Sequence, residues 1–120
     1  MTEKVNLAAK FNLFQDHWSP KIAGELNDSY VKLVKVKGDF LWHHHAKEDE
    51  LFLVVKGKLT IRFRDRVVAL EENEFLIVPK GVEHMPVAEE EAWILLLEPK
   101  TTLNTGNVSS DRTVAELERI

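Results

Sequence analysis

An all-β barrel or jelly roll is the fold class that the sequence predicts, and three observations carry it. Eight to ten short segments rich in Val, Ile, Leu and Phe recur along the chain, separated at regular spacing by turn residues. Several alternate apolar and polar residues with a period of two, the pattern of a half-buried strand. Three others, LFLVV, FLIV and AWILLLEP, are continuously apolar, which requires burial on both faces. The 120 residues fit one domain. Its core is expected over about residues 20–98, with 99–120 as a surface tail.

Taken in order, Val5, Leu7, Ala8, Phe11 and Phe14 recur at spacings of three and four, so a short amphipathic helix is expected before the barrel. Pro20 ends it, because the residue before a proline avoids the helical region, and Trp18 is expected to pack rather than stay in water. KIAGELN and YVKLVKVK read as two strands around a turn at Asn27, Asp28 and Ser29. Lys32, Lys35 and Lys37 are expected on a wet strand face, with one reaching an anionic ligand as the sharper alternative. Gly38 and Asp39 turn the chain into the segment LWHHHAKEDE. LFLVV then leads through Lys56 and Gly57 into KLTIRFR, a hairpin strand whose Arg62 and Arg64 face solvent. VVAL, the acidic turn EENE, FLIV, a turn at Pro79 and Gly81, an acidic turn at Glu89–Glu91 and AWILLLEP complete the barrel. In the tail, rich in Thr, Asn, Ser and Gly, only VAELERI has the makings of a short helix.

Composition narrows the function. A net charge of −4 and a pI near 5.7 leave no basic footprint for nucleic acid. No cysteine is present, which removes thiolate metal ligation and disulfides. The apolar runs fall far short of the ~20 residues a membrane span needs, and MTEKVNLAAKF lacks the apolar stretch of a secretion signal, so the cytoplasm is the expected compartment.

The chemistry gathers in two stretches. On an extended backbone His43 and His45 share one face and His44 takes the other. Glu50 opens an apolar strand, where a carboxylate needs a cation or several donors to offset desolvation. After Pro79 and Gly81, a tight turn brings His84 back toward them. Three imidazoles and one carboxylate suit one divalent transition metal (Fe, Mn, Ni, Co, Cu or Zn) and suit Ca or Mg poorly. His44 and His17 are read as structural or incidental.

At these residues the chain resembles the cupin superfamily. The family's first motif, G(X)5HXH(X)3-4E(X)6G, is met by Gly38, His43, His45, Glu50 and Gly57, with the first gap one residue short. Its second, G(X)5PXG(X)2H(X)3N, is met by Pro79, Gly81 and His84, while Asn73 replaces the first glycine and Ala88 the last asparagine. The resemblance implies a cupin-type jelly-roll β-barrel with its metal at one mouth, held by His43, His45, Glu50 and His84. It also implies a small-molecule substrate or ligand and a metal-dependent enzyme of oxygenase or isomerase type. The alternative is a non-enzymatic binding or sensing module. Small single-domain cupins similar to mannose-6-phosphate isomerase would need an Arg or Lys phosphate clamp, and the sequence offers none that is compelling. For acid–base chemistry the candidates are Glu50, which the family allows to leave the metal during turnover, and more weakly Tyr30, Lys32 and Glu83. Outward-facing Leu, Val and Ile on the continuously apolar strands predict a homodimer.

Overall fold

Among the described residues the chain forms eight strands of one rolled sheet behind a single short helix. The structure, a computed structural model, describes residues 2–120. Helix α1 is Leu7–Phe11; the strands are β1 Lys21–Leu26, β2 Ser29–Asp39, β3 Glu50–Lys56, β4 Leu59–Phe63, β5 Val67–Leu70, β6 Phe75–Val78, β7 His84–Pro99 and β8 Glu118–Arg119. The sheet runs β5-β4-β7-β2-β1-β8, with β3 paired to β7 and β6. This is the jelly-roll barrel that the strand pattern predicts. Among the described residues no helix is long and apolar enough to cross a membrane.

Strand β7 is the axis of the roll. Its first residues pair with β4, its later residues with β3, and β2 follows it along nearly its full length. The acidic turn expected at Glu89–Glu91 is instead a bulge in this one strand. Val36 pairs with Ala92 and Gly38 with Ala88, so three residues of β7 face the single Lys37 of β2. Such an excess bends a strand without ending it, and three charged residues tolerate the exposure it brings. Gly57 belongs to the same corner: its φ is +89°, and a Cβ there would lie 3.0 Å from Glu91 O. Only glycine meets both demands.

Alternation sorts the side chains into two apolar groups. Val34, Val36, Phe52, Val54, Ile94 and Leu96 point into the barrel. Leu33, Trp93 and Leu95 point outward and are covered by Phe11 and Phe14 of the N-terminal segment and by Ile120. Phe11 stacks on Trp93 with centroids 4.9 Å apart, and burying such a ring is worth roughly 1.5–3 kcal/mol. The helix is shorter than the expected Val5–Phe14, but the residues meant to anchor it, Phe11 and Phe14, do so. Trp18 packs as expected, stacked on Phe40 at 4.8 Å.

The wet lysine face is a correction. A spacing of three along a strand places Lys32 and Lys35 on opposite faces, and both faces of β2 are covered. Lys32, 1% exposed, lies inside the barrel, where its Nζ donates to Glu98 Oε1 at 2.7 Å. Lys35 lies under the N-terminal segment, its Nζ donating to Phe14 O at 2.8 Å and sitting 5.1 Å from the Trp93 ring. Lys37 alone is exposed. VAELERI is likewise not a helix: Glu118–Arg119 adds a short parallel strand to β1, and Ile120 N–H donates to Ile22 O.

A buried ion pair is costly to break from one side. Lys32→Met should lower unfolding free energy in denaturant by roughly 3 kcal/mol, the low end for such a pair because Glu98 can neutralise itself by taking a proton. Lys32→Met combined with Glu98→Leu should recover most of that loss. An unchanged midpoint in the single variant would show that the pair carries no stability.

Candidate metal centre

The two sequence stretches meet through their backbones before their side chains meet. His43 N–H donates to His84 O at 3.1 Å and His84 N–H to His43 O at 2.9 Å. The opposite edge of the histidine segment is held by the C-terminal arm: Asn107 N–H donates to His44 O at 3.0 Å, and His44 N–H donates to Asn107 Oδ1 at 2.9 Å. Gly81 N–H donates to His45 O at 2.8 Å, closing the Pro79–Gly81 turn onto the same segment. Held from both sides, residues 43–45 stay extended although they form no long ladder. His43 and His45 therefore turn inward and are buried, while His44 is only half-buried. The arm approaches so closely that a Cβ on Gly106 would collide with His44 O. The tail is irregular, as expected, but it is packed: Thr105 is fully buried.

Four side chains converge at this junction. His43, His45, Glu50 and His84 are all buried, and one ligand atom from each lies within 4.8 Å of the other three. His43 Nδ1 lies 2.9 Å from Leu41 O and His84 Nδ1 lies 2.9 Å from Val82 O. A carbonyl only accepts, so both Nδ1 atoms carry the proton and both Nε2 atoms are left with a lone pair. His84 Nε2 and His45 Nε2 each stand 3.2 Å from Glu50 Oε1. His45 Nε2 is nevertheless a buried atom with no hydrogen-bond partner, because that short contact is poorly aligned for one. A nitrogen lone pair on His84 facing a carboxylate oxygen 3.2 Å away in a buried pocket is an arrangement that a shared cation satisfies. The residues fit a divalent transition metal on this ground, and the three-nitrogen, one-oxygen set agrees.

The electrostatics keep the ligands in their binding forms. Burial first, and His84 second, push His43 down to about 4, so its imidazole is neutral at neutral pH. Burial would raise Glu50, but the close polar neighbours His45, His84 and Glu98 outweigh it and hold the carboxyl well below its ordinary value. Glu98 goes the other way: burial, then the charge of Glu50, push it well above that value against the pull of Lys32.

Other candidates lie elsewhere. Tyr30 is not brought to the cluster; its ring faces Lys100 and Arg119, 5.3 and 5.5 Å away. Lys32 is inside the barrel but its ammonium is committed to Glu98. Glu83 pairs with Arg64, which stacks on Trp42, and His17 pairs with Glu91, both at the surface. Arg62 and Arg64 are exposed, as expected. The sequence reading missed Glu98, although the reasoning that singled out Glu50 applies to it equally: an acid ends the apolar run AWILLL as Glu50 opens LFLVV. Beside the cluster is a cavity with about 40 Å³ of free space, more than the roughly 10–15 Å³ that one water needs. His43, Glu50, Glu98 and Asn104 supply its polar atoms, and Trp18, Phe40, Phe52 and Ile94 are among its apolar walls.

A jelly-roll barrel with a buried three-histidine, one-glutamate cluster at its mouth defines a cupin. The family model of the cupin domain matches residues 30–98, and the chain belongs to that family. It is 39% identical over 85 residues to the uncharacterized protein YdbB of Bacillus subtilis (strain 168), a match covering 70% of this chain and 75% of that one. Among solved structures, a cupin-2 domain containing protein from Shewanella frigidimarina NCIMB 400 is 50% identical with a TM-score of 0.79, covering 80% of this chain and 94% of its own. Protein NMB1881 from Neisseria meningitidis is 30% identical with a TM-score of 0.75, covering 82% and 100%.

Elemental analysis of protein grown with added metals should find about one divalent transition ion per chain. His43→Ala with His84→Ala should abolish it, whereas His44→Ala should leave it nearly unchanged. Equal loss from changes at 43, 44 and 45 would contradict the alternation.

Proposed function

We propose that the protein is a metal-dependent enzyme acting on a small organic molecule, of oxygenase or isomerase type. His43, His45, Glu50 and His84 would hold one ion of Fe, Mn, Ni, Co, Cu or Zn. The observation that carries this reading is that two of these ligands, His43 and Glu50, also line the cavity. A purely structural metal is enclosed by its ligands, whereas a catalytic one keeps a side open to substrate. When bound, the ion supplies Lewis acidity, or activates dioxygen if it is redox-active.

The chain's own contributions follow from the geometry. His43 and His84 are fixed in one tautomer by backbone carbonyls, so their lone pairs are oriented in advance. Glu50 brings the compensating negative charge. The apolar walls exclude water and strengthen every polar contact made inside. Among the candidates for proton handling, Glu50 is placed at the cavity, and Glu98 beside it is the added one.

Oxygen uptake and product analysis on metal-loaded protein, screened against catechols, enediols and sugar phosphates, test the reading. Turnover of one class, lost in His43→Ala, is the expected result. Saturable binding with no turnover of any class would favour the sensing or binding module instead.

A homodimer is part of the same proposal. The N-terminal segment covers the outer face of β7, but β6 keeps Phe75 60% and Ile77 49% exposed. Among the described residues strand β6 pairs with β3 alone, which leaves its other edge free as well, and an apolar edge strand calls for a partner. A second copy in two-fold pairing closes such a surface without leaving another open. Light scattering at micromolar concentration should give about twice the chain mass of 13.8 kDa, and Phe75→Glu should halve it. A monomer at that concentration would contradict the pairing.

A further inference from the structure

The chain from Asp39 to His45 carries two of the four ligands, and the C-terminal arm grips it at two points. On the β7 side its support is narrow: Phe40 N–H donates to Pro86 O at 3.0 Å, and the pairing beyond is a single bridge, His43 with His84. The other edge belongs to the arm. Arg112 Nη1 donates to Asp39 O and to Phe40 O, each at 3.0 Å, where the segment begins. Further along, His44 N–H donates to Asn107 Oδ1 at 2.9 Å and Asn107 N–H to His44 O at 3.0 Å. His44 stands between His43 and His45, so the peptide groups gripped here set the direction in which both ligand rings project.

The arm is itself tied into a fixed shape. Asn104 Nδ2 donates to Arg112 O and Asn104 Oδ1 accepts from Val114 N–H, both at 2.9 Å. The hydroxyls of Thr105, which is fully buried, and Thr113 lie 2.6 Å apart. Residues 104–114 thus close on themselves, and the two grips belong to one body. Its backbone also comes up against a ligand ring. Gly106 has a φ of +57°, and a Cβ there would strike the His44 carbonyl and lie 3.1 Å from His43 Cδ2, the ring carbon bonded to Nε2.

Resting on the reading of His43, His45, Glu50 and His84 as metal ligands, we infer that Gly106 and Asn107 are positioning residues of the metal centre, through which the arm sets its affinity and geometry. An extended segment bonded on one edge alone can twist about that edge. The donor nitrogens sit at the ends of side chains, so a small backbone rotation carries them beyond the ~0.5 Å or 10–20° that a working site tolerates. Asn107 stops that rotation with a bond to each peptide group of His44, and Gly106 is the residue that lets the arm come close enough to make them.

Titration with Co²⁺, followed by its visible absorption, tests this on the full chain, with melting temperature and amide hydrogen exchange measured on the metal-free protein. Asn107→Leu keeps the size of the side chain and removes the acceptor; it should bind Co²⁺ about tenfold more weakly, the low end for an outer partner of a metal ligand, with shifted absorption bands. Asn107→Asp restores the acceptor and should bind as the wild type does, with unshifted bands. Gly106→Ala should weaken Co²⁺ at least as much as Asn107→Leu. A merely structural arm would lower the melting temperature and leave the bands of the bound ion unmoved. Wild-type affinity and bands in Asn107→Leu, or equal loss in the Leu and Asp variants, would overturn the positioning role; if Gly106→Ala does not fold, the Asn107 pair decides. Wild-type protein that takes up no Co²⁺ would overturn the metal reading instead. The arm's hold is then read from the His44 amide, which should exchange about tenfold faster in Asn107→Leu, the weight of one hydrogen bond, and unchanged exchange there would overturn the positioning role.

Discussion

The burial of Glu50 is the constraint on which the rest of the site depends. A carboxylate taken out of water must be matched by donors or a cation, or it will take up a proton. Here the imidazoles that could share a cation with it come from two distant stretches of chain, and bringing them together is the task of β7. Its first residue is His84, its pairing with β2 extends to the Gly38 corner, and its far half holds β3, which Glu50 opens. One bent strand therefore touches every segment that carries a ligand. The bulge at Glu89–Glu91 lets it do so, because a straight strand of sixteen residues would not stay paired with both β4 and β3.

Second in importance is the treatment of the histidine segment as an extended chain without a sheet of its own. Period-two alternation needs an extended backbone, and an isolated extended segment has unpaired amides on both edges. His84 satisfies one edge and Asn107 the other. The C-terminal arm, by composition a surface tail, thus serves as the missing neighbour strand. Gly106 permits its approach, since any side chain would strike the His44 carbonyl.

What the sequence disclosed, and what it concealed, follows from how local each signal is. The barrel, the four converging residues and the outward His44 rest on alternation and on turn chemistry at Pro79–Gly81, which are properties of a few neighbouring residues. The role of the arm depends on a contact between His44 and Asn107, 63 positions apart, and nothing in NTGN distinguishes a strap from a loose turn. The lysines misled for a different reason. A lysine on a strand is usually wet, and only the cover above β2 and the acid opposite Lys32 reverse that; both are contributed by remote segments. Glu98 was legible by the argument applied to Glu50, but a terminal acid followed by Pro99 looks like the end of a strand rather than part of its interior.

Glu50 and Glu98 share one wall of the barrel and are driven in opposite directions, the first well below its ordinary value and the second pushed above it by burial and by that neighbouring charge. Pairs of like groups whose environments split them apart are how one site keeps an acid and a base side by side. Lys32 has a part in this balance. With its ammonium 2.7 Å from Glu98, the interior carries a compensating charge, so the barrel tolerates two buried carboxyls. The positive charge placed behind Glu98 therefore offsets part of the cost of burying the acid pair.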